Sequence, residues 1–400
     1  MDSITHLPRD CYCAPGVFCD SLSRRWKLDI AYSFVPCYNY KKARINQHAP
    51  GFGRTSDEKA IGSLRKGNVS MGDKIKRIGV LTSGGDAPGM NAAVRAVARS
   101  AITFGMECIG IRRGWQGLIT TDFVTLDAAS VGHILSRGGT ILYTARSDEF
   151  RTEKGRKKAV ATCKMLGLDA IVAIGGDGTF RGALELSRLG VPVAGIPATI
   201  DSDIGCTNYT IGFDTACNTA IECIDKLRDT MQSHERCSVV EVMGRNAGFL
   251  ALYVGISVGA TAVLVPEREF NLQRDVVERI RSARLAGHTH FMVVVAEGVG
   301  SAVEIGKQIH EAVGIEPRVT VLGHIQRGGS PNARDRETAT RMGYFAVKAL
   351  AEGRTNLVIS TRDGGIVETP IEEALQMTKH LQMDRYEVLE AVGISKTHGL

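Results

Sequence analysis

Three turns rich in glycine and acidic residues hold the groups able to do chemistry. The first is Ile75 to Ala93, IKRIGVLTSGGDAPGMNAA, where an apolar strand pattern runs into Gly84-Gly85 and then into a helix-compatible segment. Such a turn presents backbone N–H groups to an anion, although alone it is equally a tight strand-to-helix connection. Ile171 to Thr179, IVAIGGDGT, repeats the arrangement with Asp177 among the glycines. Pro197 to Asp203, PATIDSD, follows another apolar run and sets Asp201 and Asp203 two residues apart. Glycine backbone for phosphates, a hard oxygen donor for a small divalent cation and a carboxylate for a hydroxyl proton together describe a nucleotide triphosphate, its metal and an alcohol acceptor.

These turns need elements to position them, and from Lys76 the chain alternates short β-rich runs with helical stretches. RIGVLT, MECIGI, DAIVAIGG and VPVAGIP read as strands, with NAAVRAVARSAITFG and FRGALELSRLG as helices between them. A second series follows Gly212, with CSVVEVMG, ATAVLVPE, HFMVVVAEG and VTVLGHIQRGG as strands and LQRDVVERIRSARLAG as a helix. The pattern predicts an α/β fold of two doubly wound domains, their sheets largely parallel, whose strand C-termini face one cleft.

Bulk composition narrows the function class. Four hundred residues, 44% hydrophobic and 23% charged, are ordinary for a globular enzyme of two or three domains, and no apolar run approaches the roughly 18 residues of a membrane span. The formal charge of +6 is uneven. Residues 1–72 hold 11 Lys/Arg against 6 Asp/Glu and so carry +5 of it, which leaves no case for a nucleic-acid partner of the globular part. That leader shows no sustained periodicity and reads as an irregular, disordered extension, or as a stretch preceding a start at Met71. Four of the ten cysteines lie in it and the others are scattered singly, without a CxxC pair, as small core residues of a reducing cytoplasm.

Taken together, these motifs with YTAR, VEVMGR, VVVAEG and GHIQRGGS resemble the ATP-dependent 6-phosphofructokinase family of the bacterial type, from about Lys76 into the last third of the chain. The resemblance implies that Gly85, Gly176, Asp177, Gly178 and Thr179 meet ATP, with Asp177 holding Mg²⁺ and Arg146 on the phosphates. It implies that Asp201 takes the proton from the 1-hydroxyl of fructose 6-phosphate and Thr199 holds the transferring phosphoryl group. Asp203 would place the metal or order the loop, and Arg245 would neutralise developing charge, the main demand of phosphoryl transfer. For the sugar phosphate, Arg236, Arg318, His324 and Arg327 would supply donors to the 6-phosphate, Met243 and Gly244 would pack on the sugar, and Glu297 would accept from its hydroxyls. In similar enzymes the residues matching Arg236 and Arg318 come from a neighbouring subunit, which implies a homotetramer. Trp115 stands where the family usually has a Tyr near the adenine, and either ring could stack. The expected division is 73–211 plus about 325–375 for ATP, and 212–324 plus about 376–400 for the sugar phosphate. The implied role is a cytoplasmic glycolytic enzyme making fructose 1,6-bisphosphate.

Some positions depart from the family. Pyrophosphate-dependent relatives carry an Asp at Gly178 and a Lys at Ala198; Gly178 therefore favours ATP, although ATP enzymes usually have Gly at position 198. Ser202 replaces a usual Asn, and Gly205-Cys206 replaces Lys-Gly. In the intersubunit effector site Arg95, Arg99 and Arg228 survive, whereas Ala128, Thr261, Ala286 and His288 stand where Arg, Glu and two Lys are usual. Losing two to three cationic contacts at roughly 1.5 to 3 kcal/mol each predicts weak or absent ADP activation and phosphoenolpyruvate inhibition. Two rival readings are a pyrophosphate-dependent enzyme and a non-catalytic paralogue that binds sugar phosphate or nucleotide.

Overall fold

Strands covered on both faces read as unbroken apolar runs, and AIVAIG and FMVVVA are such runs: Ala170–Gly175 and Phe291–Ala296 are buried along their whole length. They are central strands in a computed structural model that describes residues 75–392. The irregular extension expected over 1–72 lies outside the described residues.

In chain order the strands are β1 (Arg77–Ser83), β2 (Glu107–Ile111), β3 (Phe123–Leu126), β4 (Ala170–Gly175), β5 (Val193–Pro197), β6 (Cys237–Val242), β7 (Ala262–Leu264), β8 (Phe291–Ala296), β9 (Arg318–Val321), β10 (Leu357–Arg362) and β11 (Gly365–Pro370). Seven of them form one sheet in the order β11-β10-β5-β4-β1-β2-β3 and four form a second in the order β7-β8-β6-β9. The second sheet is wholly parallel. The first is parallel except at its margins, where β3 and β11 pair antiparallel with β2 and β10. The α/β, largely parallel architecture read from the sequence is the one observed.

The chain leaves β1 toward β2 and later returns to its other side as β4. Connections therefore diverge at the carboxyl ends of β1 and β4, the place where open α/β sheets bind ligands. The first two glycine turns lie there. Close helix packing supports this edge. The helices Met90–Thr103 and Ala333–Ala351 approach so closely that a Cβ on Gly343 would stand 2.6 Å from the Cβ of Ala96. At the start of the second helix the buried carboxylate of Asp335 accepts hydrogen bonds from Tyr209 Oη, Gly212 N, Thr215 N and Thr215 Oγ1 at 2.5–2.9 Å. That cluster fixes the chain leaving the Asp201–Asp203 loop.

The six described cysteines are free, and five are buried. Burial pushes Cys108, Cys163 and Cys237 up to about 12, so they pack as neutral apolar groups. Among the described residues no helix is long and apolar enough to cross a membrane.

Candidate active site

The three turns converge at the carboxyl ends of β1, β4 and β5. Gly84, at φ 91°, takes a conformation that a side chain would strain. Its carbonyl accepts from Thr144 Oγ1 at 2.6 Å, which ties YTAR to the first turn. The second turn is clasped to the first by Thr179, whose hydroxyl donates to the Ser83 carbonyl at 3.0 Å. Thr179 N donates to Gly176 O, and the side chain is buried. Both of its donors are thus engaged within the protein, which holds the second turn against the first. A Cβ on Gly176 would lie 3.9 Å from Thr199 Cβ, which brings the second and third turns together. A Cβ on Gly178 would meet nothing within 4 Å, so this position opens into free space.

Asp177 begins the helix Asp177–Arg188, where the positive end of the helix dipole favours anions. Burial first, and then the Asp203 carboxylate, push Asp177 up, with Arg181 opposing. The Asp203 carboxylate thus acts on Asp177, and two hard oxygen donors brought together in this way would suit Mg²⁺. This ion usually takes one or two protein carboxylates and completes its shell with phosphates and water. Among the described residues no three His, Cys, Asp or Glu side chains cluster so as to hold a metal ion by themselves.

Asp201 is 6% exposed, and its Oδ1 has no hydrogen-bond partner. Its backbone N–H donates to Thr199 Oγ1 at 3.2 Å. Burial and then Asp203 push its carboxyl up, while Arg327 and Arg245 pull it back. The result is a strengthened base between two arginines, with one oxygen free. Between the two acids, Ser202 is held at φ 57°, sparsely populated for a residue with a side chain.

The four-stranded sheet divides its residues between its two ends. Met243, Gly244 and Arg245 follow β6, Glu297 follows β8 and His324 follows β9, all at carboxyl ends. Glu297 Oε1 accepts from Gly244 N at 3.2 Å and Arg245 N at 2.6 Å, which locks the loop and leaves its other oxygen for a ligand. Arg245 is exposed at φ 58°, a second strained position beside Asp201. Arg236 precedes β6, and Arg318 opens β9 opposite Ser238. Both therefore lie at the amino end of the sheet. Six strand residues separate Arg236 from Met243, roughly 20 Å at 3.3 Å per residue. Within one chain these two arginines do not join the others.

Arg327 and Trp115 both find partners within the chain. Arg327, expected beside the 6-phosphate, donates from Nη1 to the Asp86 carbonyl at 3.0 Å, and its guanidinium lies against the Gly85 backbone. This joins the segment after β9 to the first turn. Trp115 offers no open face: it is 5% exposed and stacked on Phe150 at 4.8 Å. Arg146 is exposed near the first turn. Of the effector positions, Arg228 donates to the Val258 carbonyl, and the Thr261 hydroxyl accepts from Met292 N.

Residues missed by sequence reasoning are Thr144, hidden within a motif chosen for its arginine, and Lys379. Lys379 Nζ donates to Ser202 Oγ at 2.9 Å and Asn208 O at 3.4 Å. Burial pushes its ammonium down to about 8, against the pull of Asp203. No motif surrounds it.

The phosphofructokinase family model matches residues 77–350. Over 314 residues the chain is 51% identical to the ATP-dependent 6-phosphofructokinase of Clostridium botulinum strain Hall, an alignment covering 78% of this chain and 98% of that protein. It is 52% identical over 318 residues to ATP-dependent 6-phosphofructokinase 1 of Clostridium perfringens strain 13, covering 80% and 99%. Among solved structures, phosphofructokinase from Saccharomyces cerevisiae matches with a TM-score of 0.71 and 36% identity, over 75% of this chain and 45% of that longer one. A pyrophosphate-dependent phosphofructokinase from Marinobacter aquaeolei matches with a TM-score of 0.69 over 81% and 93%, at 21% identity, a likeness of fold alone. Glycine turns at a strand crossover, paired acids after β5, and identity above one half to proteins matched over nearly their full length place the chain in the phosphofructokinase family.

Proposed function

We propose that the protein transfers the terminal phosphoryl group of MgATP to the 1-hydroxyl of fructose 6-phosphate, giving fructose 1,6-bisphosphate and ADP as a cytoplasmic step of glycolysis. The observation that carries this reading is Asp201: a buried carboxylate with a free Oδ1, pushed up by burial and by Asp203 and flanked by Arg245 and Arg327. It is placed to accept the proton of an alcohol. Thr199, adjacent to Gly176, holds the transferring group between the second and third turns. Gly176 and Gly178 leave backbone and space for the phosphates, Gly85 seats the Arg327 guanidinium beside them, and Arg146 and Arg245 offset their charge. Asp177, helped by Asp203, would hold Mg²⁺, which when bound neutralises charge on the β- and γ-phosphate oxygens.

For the sugar phosphate, Met243 and Gly244 form the floor, Glu297 accepts from hydroxyls, and His324 stands at the same end of the sheet. Arg236 and Arg318 complete the 6-phosphate site from another copy of the chain. Their position at the far end of the four-stranded sheet supports this reading, and with it a homotetramer. The open space at Gly178 and the names of the clostridial relatives favour ATP over pyrophosphate.

The test is fructose 1,6-bisphosphate formation with Mg²⁺ and either ATP or pyrophosphate, beside Asp201→Asn. Activity with ATP should fall about 10²- to 10⁴-fold in the variant. Activity with pyrophosphate alone would overturn the donor, and silence with both would favour a binding paralogue. In the same assay ADP should leave the half-saturating sugar phosphate essentially unchanged, given Ala128, Thr261, Ala286 and His288.

A further inference from the structure

The Asp201–Asp203 loop is held from behind by a segment far along the chain. Ser202, buried and at φ 57°, accepts at its Oγ from Lys379 Nζ at 2.9 Å, across 177 positions of sequence. The same ammonium reaches Asn208 O at 3.4 Å and lies 5.1 Å from the Phe249 ring centroid, over its face. Next to it, a Cβ on Gly205 would stand 2.8 Å from Thr378 N and closer still to the Met377 carbonyl, so residues 377–379 pack directly on the loop backbone. Arg362 Nη2 in turn holds Met377 Sδ at 3.1 Å.

We infer that Lys379 is a positioning residue for phosphoryl transfer, which clamps Ser202 and thereby fixes the Asp201 and Asp203 carboxylates toward the reacting groups. Ser202 has a backbone conformation that few side-chain-bearing residues adopt, and such a conformation persists only where its surroundings over-determine it. Here one neighbouring contact is a side-chain hydrogen bond to a cation lodged between the loop and Phe249. Lys379 touches Ser202 and not the reacting atoms, so its effect should fall on turnover and not on sugar binding. A base displaced by about 1 Å can lose 10²-fold in rate.

The inference rests on the role of Asp201 proposed above. Wild-type activity with ATP and fructose 6-phosphate, measured in the same series, tests that role separately. Lys379→Met keeps the apolar stem against Phe249 and removes the donor. Its kcat should fall about 10- to 100-fold, with the fructose 6-phosphate KM within about threefold of wild type. Lys379→Arg should restore most of the loss, and Lys379→Met should cost much less in a Ser202→Ala background than in wild type. An unchanged kcat in Lys379→Met, a loss confined to KM, or full additivity with Ser202→Ala would overturn the inference. Should Lys379→Met fail to fold, Ser202→Ala decides alone: reduced kcat at an unchanged melting temperature supports the clamp, and unchanged kcat refutes it.

Discussion

The loops of the seven-stranded sheet and those of the four-stranded sheet are completed differently. On the first, backbone and side chains are already bound to each other, Thr179 to Ser83 and Thr144 to Gly84, and Arg327 from the segment after β9 joins them at Asp86. On the second, the groups suited to an anion stand open. Arg318 is 57% exposed, with only Glu316 at 3.9 Å. Among the described residues the side chains of Arg236 and His324 have no hydrogen-bond or ion-pair partner. The contrast has a physical reason. Phosphates of a nucleotide can be cradled by N–H groups that one chain sets in place through turns and a helix end. A compact sugar phosphate needs long cations from several directions, and leaving these exposed avoids burying an unpaired charge before the ligand arrives. Under this reading one half is preformed within a chain and the other is assembled.

The largest effect should come from removing the cations of the assembled half. Arg318→Ala or Arg236→Ala should raise the half-saturating fructose 6-phosphate about 10- to 100-fold, for the loss of a charge-assisted bond of roughly 1.5–3 kcal/mol, with the ATP KM little changed. Refolding a mixture of Arg318→Ala and Asp201→Asn should recover activity neither has alone, because hybrid oligomers pair an intact base with an intact arginine. No recovery would break the comparison.

A smaller effect is expected on the preformed half. Gly178→Asp puts a carboxylate into open space beside the phosphates. It should raise the ATP KM by about tenfold, near 1.4 kcal/mol, through like-charge repulsion. The melting temperature should stay put, because nothing lies within 4 Å of the new Cβ. An unchanged ATP KM would show that the nucleotide does not pass Gly178.

The smallest concerns stability under acid. Burial alone would raise Asp275, yet hydrogen bonds from Arg274 and Asn271 and the charge of Arg268 hold its carboxyl below the ordinary range. A depressed folded value means stabilisation that is present above the unfolded value near pH ~4 and lost as pH falls through the folded one. Asp275→Asn should cost roughly 1 kcal/mol at neutral pH, discounted because Arg274 is half exposed. The difference from wild type should vanish on acidification, as read by denaturant unfolding. A difference that persists at low pH would assign the cost to packing instead.

Much of this was legible in the order of residues. Apolar runs without alternation identify β4 and β8 because a strand covered on both faces has no polar side to show. The glycine turns are legible because backbone approach to an anion demands glycine wherever it occurs. Asp201 and Asp203 are legible as a pair since a two-residue spacing is local. The amino acids alone also set the kinds of group available: hard oxygen donors, forked cations and free backbone, and hence the phosphoryl-transfer chemistry. Tertiary structure decided which of them meet. Whether Trp115 faces a base or Phe150 depends on what packs on it, and Arg327 meets Gly85 through a contact far apart in the chain. That Arg236 and Arg318 lie at the amino end of their sheet, away from Met243 and Glu297, follows from strand direction and length. Lys379 reaches Ser202 across 177 positions through a contact no local pattern encodes. Periodicity and turn chemistry act over a few residues, whereas electrostatic and hydrogen-bond partners are chosen by distance in space, and only the folded chain defines that distance.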